Sequence, residues 1–97
     1  MASKASRLAN ISQHVKELRL HLCQKSASST GTRNFIEKYY VEMKRNNPTL
    51  PILIRECSGV HPRLIARYEH GVEKSVPLAD QTAEQVLSSL DTLVKNS

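Results

Sequence analysis

Leu18-Arg19-Leu20-His21-Leu22-Cys23 constrains the fold more than any other stretch. Strict alternation of apolar and polar residues is the pattern of a half-buried strand, with Leu18, Leu20 and Leu22 on one face and Arg19, His21 and Cys23 on the other. A small-residue polar loop, Gln24 to Gly31, leads to a helix expected over residues 32–46. There Phe35, Ile36, Tyr39, Tyr40 and Met43 make one broad apolar stripe. Ser29, Thr30 or Thr32 is placed to cap its first turn, and Asn46-Asn47-Pro48 stops it. Pro51-Ile52-Leu53-Ile54-Arg55-Glu56-Cys57 then reads as a second strand ending in the second cysteine. A strand, a four-turn helix and a strand make a right-handed crossover with parallel strands.

The remaining elements follow at short intervals. Ser58 to Pro62 is a turn, Arg63 to Tyr68 a third strand, His70-Gly71 a hairpin turn and Val72 to Val76 a fourth strand closed by Pro77. Thr82 and Gln85 frame a capping box ahead of Val86, Leu87, Leu90, Leu93 and Val94, an amphipathic final helix. The order β-α-β-β-β-α predicts an α/β fold: a four-stranded mixed sheet with both helices on one face. This is the thioredoxin-like plan with its middle helix absent. His61-Pro62 stands where that plan carries a cis-proline, so Pro62 is a candidate for one, against an ordinary trans turn proline.

A chain of 97 residues is one small domain. With four aromatics and no Trp, its core rests on Leu, Ile and Val. Such a domain is marginal alone and gains from a covalent staple or from a partner that covers apolar surface. The charge is uneven: residues 1–67 carry twelve Lys and Arg against four Asp and Glu, and residues 68–97 carry two against five. A basic body suits an acidic partner, whether nucleic acid, anionic membrane or acidic protein, or serves general solubility. No run approaches the roughly 20 apolar residues that span a bilayer. Met1 to Lys16 is basic, free of acids and weakly amphipathic, the pattern of a mitochondrial import signal. Residues 1–15 are expected to be a flexible basic N-terminus and residues 16–97 the folded domain.

Without the middle helix, one sheet face is left open. It is expected to show Arg19, His21, Arg55, Arg63 and Arg67, with Leu53 and Ile65 making it partly apolar, as a docking surface is. The tetrad Cys23-Gln24-Lys25-Ser26 keeps the first cysteine of a Cys-x-x-Cys redox motif and replaces the second. A single-thiol exchange protein would use Cys23 alone, although about eight residues separate it from the expected helix. A Cys23–Cys57 bond between neighbouring strand ends would stabilise the domain by about 3–4 kcal/mol in the chain-entropy model. Two reduced thiols are the alternative in a reducing compartment. His21, Cys23, Cys57 and His61 make a further candidate set for zinc, at a spacing unlike the usual fingers. Ser28 to Thr32 lacks the frame of a phosphate loop, the strands lack stacking aromatics for RNA, and nothing suggests hydrolysis.

Leu18 to Cys23, Arg33-Asn34-Phe35-Ile36-Glu37-Lys38, Asn47 to Ser58 and Ala66-Arg67-Tyr68 resemble one family. It comprises the small thioredoxin-like accessory subunits, alpha subcomplex subunit 2, of mitochondrial NADH:ubiquinone oxidoreductase (complex I). The similarity runs from about Leu18 to the end of the chain, and Asn47–Ser58 is its most specific block. The resemblance implies a non-catalytic subunit, without cofactor or small-molecule substrate, on the matrix side of the mitochondrial inner membrane. Its implied partner is the large iron-sulfur core subunit of the NADH-oxidising module, with no nucleic acid and no membrane-spanning part. It also implies that Cys23 and Cys57 can form a disulfide. Related domains occur in mitochondrial ribosomal proteins, the runner-up, with a monothiol redox protein third.

Overall fold

β1 (Glu17–Leu22) lies inside the sheet, and every other element is placed by it. In the computed structural model, which describes residues 11–95, the strand order is β2-β1-β3-β4. β2 (Ile52–Glu56) runs parallel to β1 with Leu18 opposite Ile52 and Leu22 opposite Glu56. β3 (Arg63–Arg67) is antiparallel on the other side, and β4 (Glu73–Pro77) pairs antiparallel with β3. The sheet is mixed because α1 (Thr30–Asn46) supplies the β1–β2 crossover, whereas the short turn at residues 68–72 permits only a hairpin between β3 and β4.

Both α1 and α2 (Ala83–Lys95) bury their apolar stripes against one sheet face. Phe35, Tyr39 and Met43 recur every four residues along α1, and Val86, Leu87, Leu90, Leu93 and Val94 do the same work on α2. They enclose Leu18, Leu20, Leu64 and Ala66 of the sheet. Each such side chain contributes about 1.5–3 kcal/mol when taken out of water. The capping box at α2 forms as the spacing predicts: Thr82 N–H donates to Gln85 Oε1 at 2.9 Å and Gln85 N–H to Thr82 Oγ1 at 3.2 Å. Asn47 stops α1 through two donations to the Met43 carbonyl, from its backbone N–H and its Nδ2, both at 2.9 Å.

The structure corrects several boundaries. A 3-10 turn, Ala27–Ser29, precedes α1, so helical structure begins close behind Cys23. Its cap is Ser26, whose Oγ accepts the Ser28 N–H; Ser29 makes no capping bond with its side chain. Val72 lies outside β4, because the hairpin needs Glu69–Gly71, with His70 and Gly71 at positive φ, to reverse the chain. The His61–Pro62 bond is trans, as is every peptide bond among the described residues. Pro62 is buried and its carbonyl accepts the Leu78 N–H at 2.9 Å. Ile11 and Val15, expected in the flexible N-terminus, are buried in the core, and Ser12 N–H donates to Asn47 Oδ1 at 3.0 Å. Most of the basic import-signal stretch lies outside the described residues.

Candidate docking face

Strand alternation decides which side chains meet on the open face. Residues opposite one another in a sheet share a face. The registers therefore put Glu17, Arg19 and His21 of β1 together with Leu53 and Arg55 of β2, Arg63, Ile65 and Arg67 of β3, and Glu73 and Ser75 of β4. All five candidate partner-binding residues, Arg19, His21, Arg55, Arg63 and Arg67, lie on this one surface, and Leu53 is 38 % exposed among them.

The face is not uniformly basic. Arg19 donates from Nε to Glu17 Oε2 at 2.7 Å and from Nη2 to Glu73 Oε2 at 2.6 Å. These carboxylates, Glu17 first, raise the guanidinium pKa further above its ordinary value, so the consequence is positional: Arg19 is pinned flat between two acids. Arg67 stands opposite both Glu17 and Glu73 in the registers, so these four residues balance one another. The other end differs. His21 stands opposite Arg55 on one side and Arg63 on the other, and among the described residues no acid shares that end of the face. Arg63 donates to Ser75 Oγ at 2.8 Å, a neutral partner that leaves its charge in place. Glu17 was legible in the sequence, two residues before Arg19 on the same alternating face. Glu73 was not, because its position depends on the hairpin register.

A hollow of about 300 Å³ opens at this end, lined by Arg19, His21, Arg55, Cys57 and Val60. Cys57 is exposed there, whereas Cys23, just beyond β1, is only 4 % exposed. Both are free thiols in this structure. Their backbones are nevertheless adjacent: Cys57 N–H donates to the Leu22 carbonyl at 3.0 Å, and Gly59 N–H points to Cys23 Sγ at 3.5 Å. The Gly59 N–H first, then the N–H groups of Lys25 and Ser26, lower the Cys23 pKa; burial opposes them and the Arg33 charge assists. Cys23 itself is tied at both ends, its N–H to Ser29 Oγ at 3.1 Å and its carbonyl to Arg33 Nη1 at 2.7 Å.

The serine-rich loop thus serves Cys23 and the start of α1, through Ser26 and Ser29. Among the described residues no group of three or more His, Cys, Asp or Glu could hold a metal ion, so His21, Cys23, Cys57 and His61 do not assemble a zinc site. No helix among the described residues is long and apolar enough to cross a membrane.

The chain is similar to known proteins along most of its length. A family model described as the mitochondrial ribosomal protein L51 / S25 / CI-B8 domain matches residues 32–83. NADH dehydrogenase [ubiquinone] 1 alpha subcomplex subunit 2 of Arabidopsis thaliana is 54% identical over 87 residues, 90% of each chain. The mouse protein of the same name is 46% identical over 96% of this chain and 94% of its own. The NADH-ubiquinone oxidoreductase 10.5 kDa subunit of Neurospora crassa is 42% identical over 86% of this chain and 88% of its own.

Proposed function

Because this chain belongs to the NADH dehydrogenase [ubiquinone] 1 alpha subcomplex subunit 2 family, we propose that it is a non-catalytic accessory subunit of mitochondrial complex I. It supports assembly or stability of the NADH-oxidising matrix arm. It sits peripherally on the matrix side of the inner membrane, on the large iron-sulfur core subunit, through the open sheet face. The observation that carries the docking reading is the acid-free end of that face, where His21, Arg55 and Arg63 stand together beside exposed Leu53. Guanidinium forks next to apolar surface suit a partner that offers carboxylates.

The alternatives have less support. The relatives at 42–54% identity are NADH dehydrogenase subunits, which does not favour the ribosomal reading. A monothiol exchange protein needs an accessible nucleophile, and Cys23 is buried. The Cys23–Cys57 bond belongs to the same proposal. An oxidising disulfide would accept two electrons and the two thiol protons, and the contact of Gly59 with Cys23 already brings the turn after Cys57 against that thiol.

Arg55→Glu combined with Arg63→Glu tests the docking reading in mitochondria lacking the native subunit. Release of the folded variant from complex I on native gels is expected; wild-type incorporation would overturn the reading.

A further inference from the structure

The sheet has two edges, and they are unlike. On β4 the bonds from Tyr68 N–H to the Val72 carbonyl and from Leu78 N–H to the Pro62 carbonyl set the phase of the ladder. Glu73, Ser75 and Pro77 therefore turn their backbone outward, and Pro77 has no N–H to offer. A charged side chain and an outward proline are how an edge is closed to further pairing.

β2 carries the charged Glu56 at its end but no outward proline. Leu18 N–H donates to the Pro51 carbonyl at 3.0 Å and Cys57 N–H to the Leu22 carbonyl at 3.0 Å. With the parallel register, these two bonds turn Leu53 and Arg55 toward β1 and leave Ile52, Ile54 and Glu56 with their N–H and C=O groups directed outward. No other described residue bonds to them. The two faces of the strand's end carry different environments. The open face has the hollow beside Arg55 and His21, and the helix face has one of about 180 Å³ lined by Leu22, Arg33, Ile36, Glu37 and Glu56.

We infer that the outer edge of β2 takes an extended segment of the partner protein as a fifth strand, with acidic residues beside Arg55 on the open face and the alternate residues beside Ile54 and Glu56 on the helix face. This rests on the docking reading and says how the partner is held. Main-chain bonds to Ile52, Ile54 and Glu56 give affinity, and the alternating side chains give specificity. Charge selects the occupant. The cluster of His21, Arg55 and Arg63 has no acid beside it and calls for a partner that brings one. A second copy of this chain would set the same cationic cluster beside its own image on a continuous sheet face, at a repulsive cost.

Amide hydrogen exchange on the full chain, alone and within assembled complex I, tests this. The Ile54 and Glu56 amides should exchange fast in the free chain and slow by about tenfold or more on assembly. Unchanged rates at both would overturn edge pairing, whatever any variant does. Slow exchange already present in the free chain, with a dimer by light scattering, would assign the edge to a second copy and overturn it too. Glu56→Pro removes one outward N–H and leaves the β1 ladder whole, since Arg55 before it is already extended. It should fail to incorporate while melting like the wild type. If edge amides stay fast and Glu56→Pro incorporates, while the Arg55/Arg63 double reversal is still released, face docking stands without the fifth strand.

Discussion

Arg19 and Glu73 are 54 positions apart in the chain and meet at 2.6 Å across the width of β3. The bond makes one end of the open face electrically quiet. Glu73→Gln is expected to lower stability only slightly, since the pair is partly solvated and Glu17 still holds Arg19. It should leave incorporation into complex I intact, because it removes no cation. Arg19→Glu should weaken incorporation, because three carboxylates would then share the strand face. Denaturant titration and native gels read the two effects separately. Equal loss of incorporation in both variants would contradict this division of the face.

Gly31 reverses the usual helix rule. Replacing an exposed helical glycine by alanine gains about 1 kcal/mol. At Gly31 an added Cβ would stand 1.5 Å from the backbone carbonyl oxygen of Gln81, which cannot rotate away. Gly31→Ala should therefore destabilise by about 1–3 kcal/mol as the loop before α2 is pushed off α1. A rise in melting temperature would show that this loop is soft.

These contacts mark where sequence reasoning runs out. Alternation in Leu18–Cys23 gives β1 and its two faces, and the periods of 3.6 give both helices, because each pattern is a local consequence of one buried side. The capping box at Thr82 is legible for the same reason. Glu73 reaching Arg19, Gln81 pressing on Gly31 and Asn47 holding Ser12 are long-range contacts decided by register and loop path. Burial of Cys23 is not given by alternation, which ends with the last paired residue, Leu22. Burial of Ile11 and Val15 was missed because basic residues nearby read as a solvated tail.

Tyr68 ties the sheet to α2. Its hydroxyl donates to the Leu93 carbonyl at 2.6 Å in a buried setting, satisfying a carbonyl in the last turn of the helix. Burial also holds the phenol above its ordinary pKa, so it stays a donor through neutral pH. Tyr68→Phe keeps the ring and strands that carbonyl, for an expected cost of about 1–2 kcal/mol in urea unfolding. A cost no larger than that of a surface substitution would mean that water replaces the hydroxyl.

Cys23 gives stability a pH dependence with a definite sign. Backbone N–H groups of Gly59, Lys25 and Ser26 favour the thiolate, so the folded pKa lies below the unfolded value. Between those two values the folded chain has lost a proton that the unfolded chain still holds, and stability rises with pH. The contribution is complete above the unfolded pKa and disappears as pH falls through the folded one. Under reducing conditions, which keep Cys57 from pairing, the stability of the wild type relative to Cys23→Ser should climb across that window and then level off. Parallel curves for the two proteins would mean that the N–H groups do not favour the thiolate in solution. Under oxidising conditions a different pattern is expected: Cys23→Ser and Cys57→Ser should lose the same increment of melting temperature, because either one removes the whole bond.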